Sequence, residues 1–143
     1  MIGDAMSKAT ATQNSARQRP LSPHLAIYRM TPTMLMSGMH RITGAALYAG
    51  TLLLAWWLIA TAISEDYFNW ISWLWGTWFG RLVLFGYTWA LIHHMLGGIR
   101  HFIWDVGVGL EKHTATKLAV ANLAGSIIIT LLIWIVGYMV RGG

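Results

Sequence analysis

Three stretches of this chain, residues 42–64, 82–99 and 118–140, contain no Asp, Glu, Lys or Arg. A bilayer core of about 30 Å needs roughly 20 helical residues to cross it. Inside lipid every backbone N–H and C=O must be satisfied within the protein, so spans of this length must be helices. The middle stretch is the shortest and is bounded by Arg81 and Arg100. Those residues are 19 steps apart, about 28 Å at 1.5 Å per residue, so their guanidinium groups can snorkel toward opposite faces. The expected fold is all-α and integral to a membrane. Its three transmembrane helices lie at about 38–64, 79–104 and 118–140, within one membrane domain covering 21–143.

Composition supports lipid as the solvent. Hydrophobic residues make up 56% and charged residues 10% of the 143 positions, against about 25% charged in soluble domains. That balance excludes a water-soluble domain and a disordered chain. The formal charge of +5 does not point to nucleic acid, because the basic residues sit before and between the apolar runs, the pattern that orients membrane proteins. Cysteine is absent, which excludes disulfides, thiolate ligation of an iron–sulfur cluster and covalent haem attachment through C-x-x-C-H.

Residues 1–20 have no apolar core of signal-peptide length and read as a mobile arm. Arg19-Pro-Leu-Ser-Pro23 breaks the chain, and the mixed segment 25–33 is expected at the membrane surface. Lys8, Arg17, Arg19, Arg29 and Arg41 precede the first span, and Arg100, Lys112 and Lys117 flank the loop between the second and third. The intervening loop offers only Glu65 and Asp66 before Arg81. By the positive-inside rule the N-terminus is inside and the C-terminus outside. Tyr67, Phe68, Trp70, Trp73, Trp75, Trp78 and Phe79 crowd the outer connection, as an interfacial belt does. Gly76 and Gly80 match G-x-x-x-G, but at the edge of a span in a glycine-rich chain the match carries little.

Ionisable residues inside a span are costly and mark candidate sites. The second span ends in His93-His94-Met-Leu-Gly-Gly-Ile-Arg100-His101. His94 and His101 share one face by their seven-residue spacing, as do His93 and Arg100. His94 lies about 9 Å along the axis from Arg100, within the hydrocarbon. Two readings stand for it. A neutral imidazole can hydrogen-bond a neighbouring helix, or it can ligate a metal, most naturally haem iron. Gly97 and Gly98, within a turn of His94, remove side-chain bulk where a flat macrocycle needs room. Chemistry alone leaves His93 and His94 as alternatives.

The start of the first span supplies Ser37, His40, Arg41 and Gly44. Ser37, Arg41 and Gly44 line one helical face, and Arg41 lies at the depth of Arg100. Arg41 and His40 are placed to neutralise haem propionates by charge-assisted hydrogen bonds, although Arg41 and Arg100 can equally mark only the inner membrane boundary. His101 shares a helix face with His94 and cannot reach across a haem, so a second axial ligand is expected from another subunit.

Together, Arg19-Pro-Leu-Ser-Pro-His-Leu-Ala-Ile-Tyr28, Ser37-x-x-His-Arg-x-Thr-Gly44 and His94-x-x-x-Gly-Ile-Arg-His101-x-x-x-Asp105 resemble the cytochrome b556 subunits of succinate dehydrogenases. The resemblance runs from about Arg19 to the end of the third span. It implies a three-helix subunit bundled with a second membrane anchor subunit that supplies the other axial histidine. The pair would hold an iron–sulfur subunit and a flavoprotein subunit on the inner face of a bacterial cytoplasmic membrane. It also implies haem b shared between the anchors, ubiquinone as substrate, and FAD and iron–sulfur clusters only in the partner subunits. The chain would be a membrane subunit of an oxidoreductase with no succinate-oxidising site of its own. Matched by motif, His94 takes the place of the axial haem ligand, His40 and Arg41 of propionate contacts, and Ser37 and Arg41 of ubiquinone-pocket residues. His101 and Asp105 are possible secondary residues of the signature. Departures are His93, an extra histidine, and Gly97, which doubles a single glycine. Two other functions compete with this one: a haem-free structural anchor, and a transporter or proton relay on buried histidines. The latter is disfavoured by three spans without a repeat.

Overall fold

The computed structural model describes Pro23, Ile27 and residues 29–142. The expected arm at 1–20 and most of the segment preceding the first span lie outside these residues. Four helices follow in order: α1 Pro32–Ile63, α2 Glu65–Gly76, α3 Trp78–Asp105 and α4 Lys112–Gly142. Among the described residues there is no strand. Helices α1, α3 and α4 are each long and apolar enough to cross a membrane.

Helix α1 starts at Pro32, earlier than the expected span. Thr31 is its N-cap and accepts from Met34 N–H at 3.4 Å, and proline occupies the first turn, where its missing N–H costs nothing. Sharp joints set the next two helices. Ser64 ends α1 and caps α2, with its hydroxyl accepting from Tyr67 N–H at 3.2 Å. Glu65 and Asp66 occupy the first turn of α2, where negative charge complements the helix dipole. The outer aromatic connection, expected only as a belt, is therefore a helix. Thr77 repeats the arrangement, capping α3 by accepting from Gly80 N–H at 3.1 Å.

Gly76 and Gly80 thus sit on two different helices either side of that joint. A side chain on Gly80 would run into the backbone of Leu74 and Trp75, while Gly76 faces open space. The pair forms a corner and not a helix-pairing face. At the other end of α3, Gly107 and Gly109 adopt φ of 77° and 74°, the left-handed conformation glycine enters freely. Trp104 closes that loop by donating from Nε1 to the Gly109 carbonyl at 3.2 Å.

Helix α3 packs against both α1 and α4. Most buried residues of the bundle are small or polar: Thr43, His93, Arg100, Asn122, Ser126 and Thr130 are buried with Ala60, Ala90 and Ala119, and Met36, Ile71 and Ile92 are the larger apolar ones. Large apolar side chains such as Leu52, Ile59, Ile128 and Val136 face outward. This is the arrangement expected where lipid covers the apolar side chains and small or polar groups bring helices together. Buried hydroxyls are satisfied locally: Thr130 donates to the Ser126 carbonyl at 2.7 Å and Thr43 to the Met39 carbonyl at 2.9 Å.

Candidate haem- and quinone-facing site

The adjacent histidines of α3 face opposite neighbours. His93 is 1% exposed and turned to α4. Its Nδ1 lies 3.2 Å from Asn122 Nδ2 and 3.2 Å from the Ser126 hydroxyl, which itself donates to the Leu123 carbonyl. The Asn122 amide donates to Nδ1, so in the neutral ring the proton sits on Nε2 and no lone pair is left for a metal.

His94 is turned to α1. Its Nδ1 lies 3.1 Å from the His40 backbone carbonyl. A carbonyl oxygen can only accept, so Nδ1 carries the proton and the neutral ring keeps its lone pair on Nε2. The Thr43 oxygen, 3.4 Å from the same Nδ1, fits this assignment, because the Thr43 hydroxyl is positioned to donate to the Met39 and His40 carbonyls. Fixing Nδ1–H on a backbone carbonyl is the usual way a ligating histidine is held.

Close approach of α1 and α3 depends on two glycines. A Cβ on Gly44 would meet His94 Cε1 at 3.0 Å, and one on Gly97 would fall on the His40 ring. The space expected beside Gly97 for a macrocycle is thus filled by His40. A Cβ on Gly98, in contrast, would meet no described atom within 4 Å. His40 stacks on His94 with ring centroids 4.0 Å apart and 15° between planes, and meets His101 edge-on at 5.3 Å. His94 and His101 therefore do share a face, with His40 between them.

Below this stack a cavity of about 220 Å³ is lined by Thr33, Ser37, His40, Arg41, Arg100, His101 and Trp104. It gathers Ser37 and Arg41, one turn apart on α1 as their spacing predicts, together with His40 and His101. Asp105 is exposed at the end of α3 and does not line it. Arg100 departs from expectation. It does not snorkel to water within this chain: it is 4% exposed, with its guanidinium 4.9 Å from the Trp104 ring centroid. A cation over an indole face is attracted by the ring quadrupole. The i, i+4 spacing of Arg100 and Trp104 lets the two side chains meet, but it does not say which neighbour they turn to.

Polar atoms here are under-used. Among the described residues, Arg100 Nε and Nη1, His40 Nε2 and, on the α4 side, Asn122 Oδ1 are buried without hydrogen-bond partners. A buried unpaired polar group is costly, and the Arg100 and His40 atoms belong to residues lining the cavity. No acidic side chain among the described residues lines it, so the arrangement is one that accepts an anion. Among the described residues no group of three or more His, Cys, Asp or Glu is arranged to hold a bare metal ion. The donor set fits a metal carried in an anionic macrocycle: one imidazole with a free Nε2 lone pair, and cationic and N–H donors nearby for carboxylates.

The succinate dehydrogenase/fumarate reductase transmembrane subunit family matches residues 15–133. The chain belongs to that family. It is 44% identical over 121 residues to the succinate dehydrogenase cytochrome b556 subunit of Paracoccus denitrificans, covering 85% of this chain and 93% of that one. The subunit of the same name from Rickettsia prowazekii is 34% identical over 123 residues, covering 86% and 96%. The mitochondrial succinate dehydrogenase cytochrome b560 subunit of Sus scrofa is 36% identical over 115 residues, covering 78% and 67%. The likeness carried by the three motifs therefore extends along most of the chain.

Proposed function

We propose that this chain is the haem b-carrying membrane anchor of a succinate:ubiquinone oxidoreductase in a bacterial inner membrane, and that it forms part of the ubiquinone site. The observation that carries this reading is the His94 tautomer: Nδ1–H committed to the His40 carbonyl at 3.1 Å, leaving Nε2 to ligate. His94 would hold the haem iron from this chain, and a second anchor subunit would supply a further ligand. His40 and Arg41 hold the propionates, and the unpartnered donors of Arg100 add it to that role. When bound, haem b supplies a one-electron store whose potential is set by its axial ligands and the polarity around it.

Ubiquinone docks at the inner end of α1, where Ser37 and Arg41 line the cavity. The Ser37 hydroxyl donates to a quinone oxygen and orients the ring. Arg41 stabilises the negative charge that develops on that oxygen as electrons arrive, and two protons drawn from the inner side complete the quinol. The electrons come from flavin and iron–sulfur clusters in partner subunits, since this chain has no cysteine to hold a cluster. The greater positive charge before α1 supports an N-terminus on the inner side, facing the flavoprotein and iron–sulfur subunits.

One observation favours a haem-free structural anchor: the His40 ring stacks on His94 and fills the space beside Gly97. Against it stand the buried Arg100 donors, which lack partners among the described residues of this chain and which propionates would pair. A dithionite-reduced minus oxidised spectrum of the purified complex decides. A b-type α-band, reduced by His94→Leu and kept in His93→Leu, is the expected result. A colourless acid-acetone extract from a complex with full turnover would overturn the haem reading.

A further inference from the structure

At the opposite end of the bundle lies a larger cavity of about 510 Å³, lined by residues of α2, the end of α1, the start of α3 and the end of α4. Two arginines line it, Arg81 from α3 and Arg141 from α4, with aromatic walls from Trp75, Trp134 and Tyr138. No acidic side chain among the described residues lines it. Both arginines are exposed. They lie at the end where charge bias disfavours cations if the N-terminus is inside, yet two separate helices bring them to one cavity.

The cavity does not stop at the polar level. Trp57, Trp75 and Leu84 are shared with an adjoining apolar groove of about 250 Å³ between α1 and α3. Leu53, Leu54 and Tyr87 continue its walls toward the middle of the bilayer. Tyr87 is six residues beyond Arg81, about 9 Å deeper along the helix. Gly50 admits the Tyr87 ring to this wall, because a Cβ there would overlap it. A cationic mouth at the interface, opening into an apolar trough parallel to the helices, matches an amphiphile with an anionic head and a hydrocarbon tail.

We propose that this end of the bundle is a binding site for one anionic phospholipid of the outer leaflet. Arg81 and Arg141 hold the headgroup phosphate, and one acyl chain lies along the Leu53–Tyr87 groove. Basic pockets between membrane helices hold anionic headgroups in this way, by charge and not by sequence motif. Indole and phenol rings at the mouth sit at the headgroup level, where such rings are favoured. The inference is independent of the haem and quinone reading, since it uses no residue of the inner site.

The test uses the assembled complex in nanodiscs of phosphatidylcholine doped with phosphatidylglycerol. Lipid retained after detergent exchange is quantified by mass spectrometry for the wild type, for Arg81→Gln/Arg141→Gln and for Arg81→Lys/Arg141→Lys. Wild type is expected to retain phosphatidylglycerol over phosphatidylcholine. The glutamine pair should weaken that preference about 30-fold and the lysine pair largely preserve it. Should the glutamine pair fail to assemble, diazirine-labelled phosphatidylglycerol on wild type must crosslink within α1 or α3 near Leu53 or Tyr87. Equal retention by wild type and glutamine pair, crosslinks elsewhere, or no retained lipid because a partner subunit fills the groove would each overturn the proposal. So would displacement of the lipid by inorganic phosphate, which would assign the arginines to a free anion, or retention of a neutral quinone in its place.

Discussion

His93 and His94 are neighbours in sequence with nearly opposite environments. His93 is sealed between α3 and α4, its Nδ1 occupied by Asn122 and Ser126 from α4. His94 faces α1 amid polar atoms that lack partners among the described residues: His40 Nε2 and the Arg100 donors Nε and Nη1. The α4 side leaves one acceptor unpaired, Asn122 Oδ1, whereas the α1 side gathers unpaired guanidinium donors that suit an anion. A turn of about 100° per residue around a helix is enough to separate a histidine that holds a bundle together from one that can hold a cofactor.

The comparison breaks most visibly if the two histidines are exchanged in role. His94→Leu is expected to lower haem occupancy of the complex by more than about 100-fold, since loss of even an outer partner of a ligand costs 10–100-fold in metal affinity. His93→Leu should keep the pigment at one per complex. Its cost should appear as lost stability of the α3–α4 pair, about 1–3 kcal/mol, because Asn122 is left buried without its partner. Pigment content and thermal unfolding of the same preparations check both. A His93 variant that loses haem as completely as the His94 variant would remove the distinction.

The two glycines sharpen the same contrast. Gly97 is buried against His40, whereas Gly98 is open. Gly97→Val must displace His40 from its stack on His94 and is expected to lower haem occupancy about tenfold, the size of an outer-partner loss. Gly98→Ala should leave the anchor's own packing unchanged. Reduced-minus-oxidised spectra per mole of complex report both, and equal effects would mean that the close approach at Gly97 is unimportant.

The site between the start of α1 and the end of α3 is legible in the sequence to the extent that it depends on helical spacing. Ser37 and Arg41 are one turn apart, His94 and His101 are two turns apart, and each pair lies where a regular helix must put it. The three long helices are legible for a similar reason, because an uncharged stretch of 20 residues has few other uses. What spacing cannot give is rotation: which of His93 and His94 meets α1 depends on how three helices pack, and that is set by Gly44, Gly97, Asn122 and Ser126 acting across the bundle. Arg100 escapes the spacing argument for the same reason. A guanidinium at the end of a span normally reaches water, but here Trp104 one turn further on takes its face. Helix α2 is hidden by its composition, since tryptophans at a membrane boundary suit a belt whether or not the backbone is helical.

The smallest expected effect concerns the α1 side alone and separates quinone from haem. Ser37 lines the inner cavity but takes no part in the His40–His94 stack. In the proposed role, removing its hydroxyl would delete one hydrogen bond to a quinone oxygen, worth about 1 kcal/mol, so Ser37→Ala should lower kcat/KM for ubiquinone about fivefold. Succinate oxidation with an artificial acceptor drawing from the partner subunits should be unchanged, and so should the α-band. If the α-band falls together with quinone reduction, Ser37 acts through the haem pocket and the two functions share one structural support. If neither moves, the quinone oxygen is held by partner residues, and the polar face of α1 serves the propionates alone.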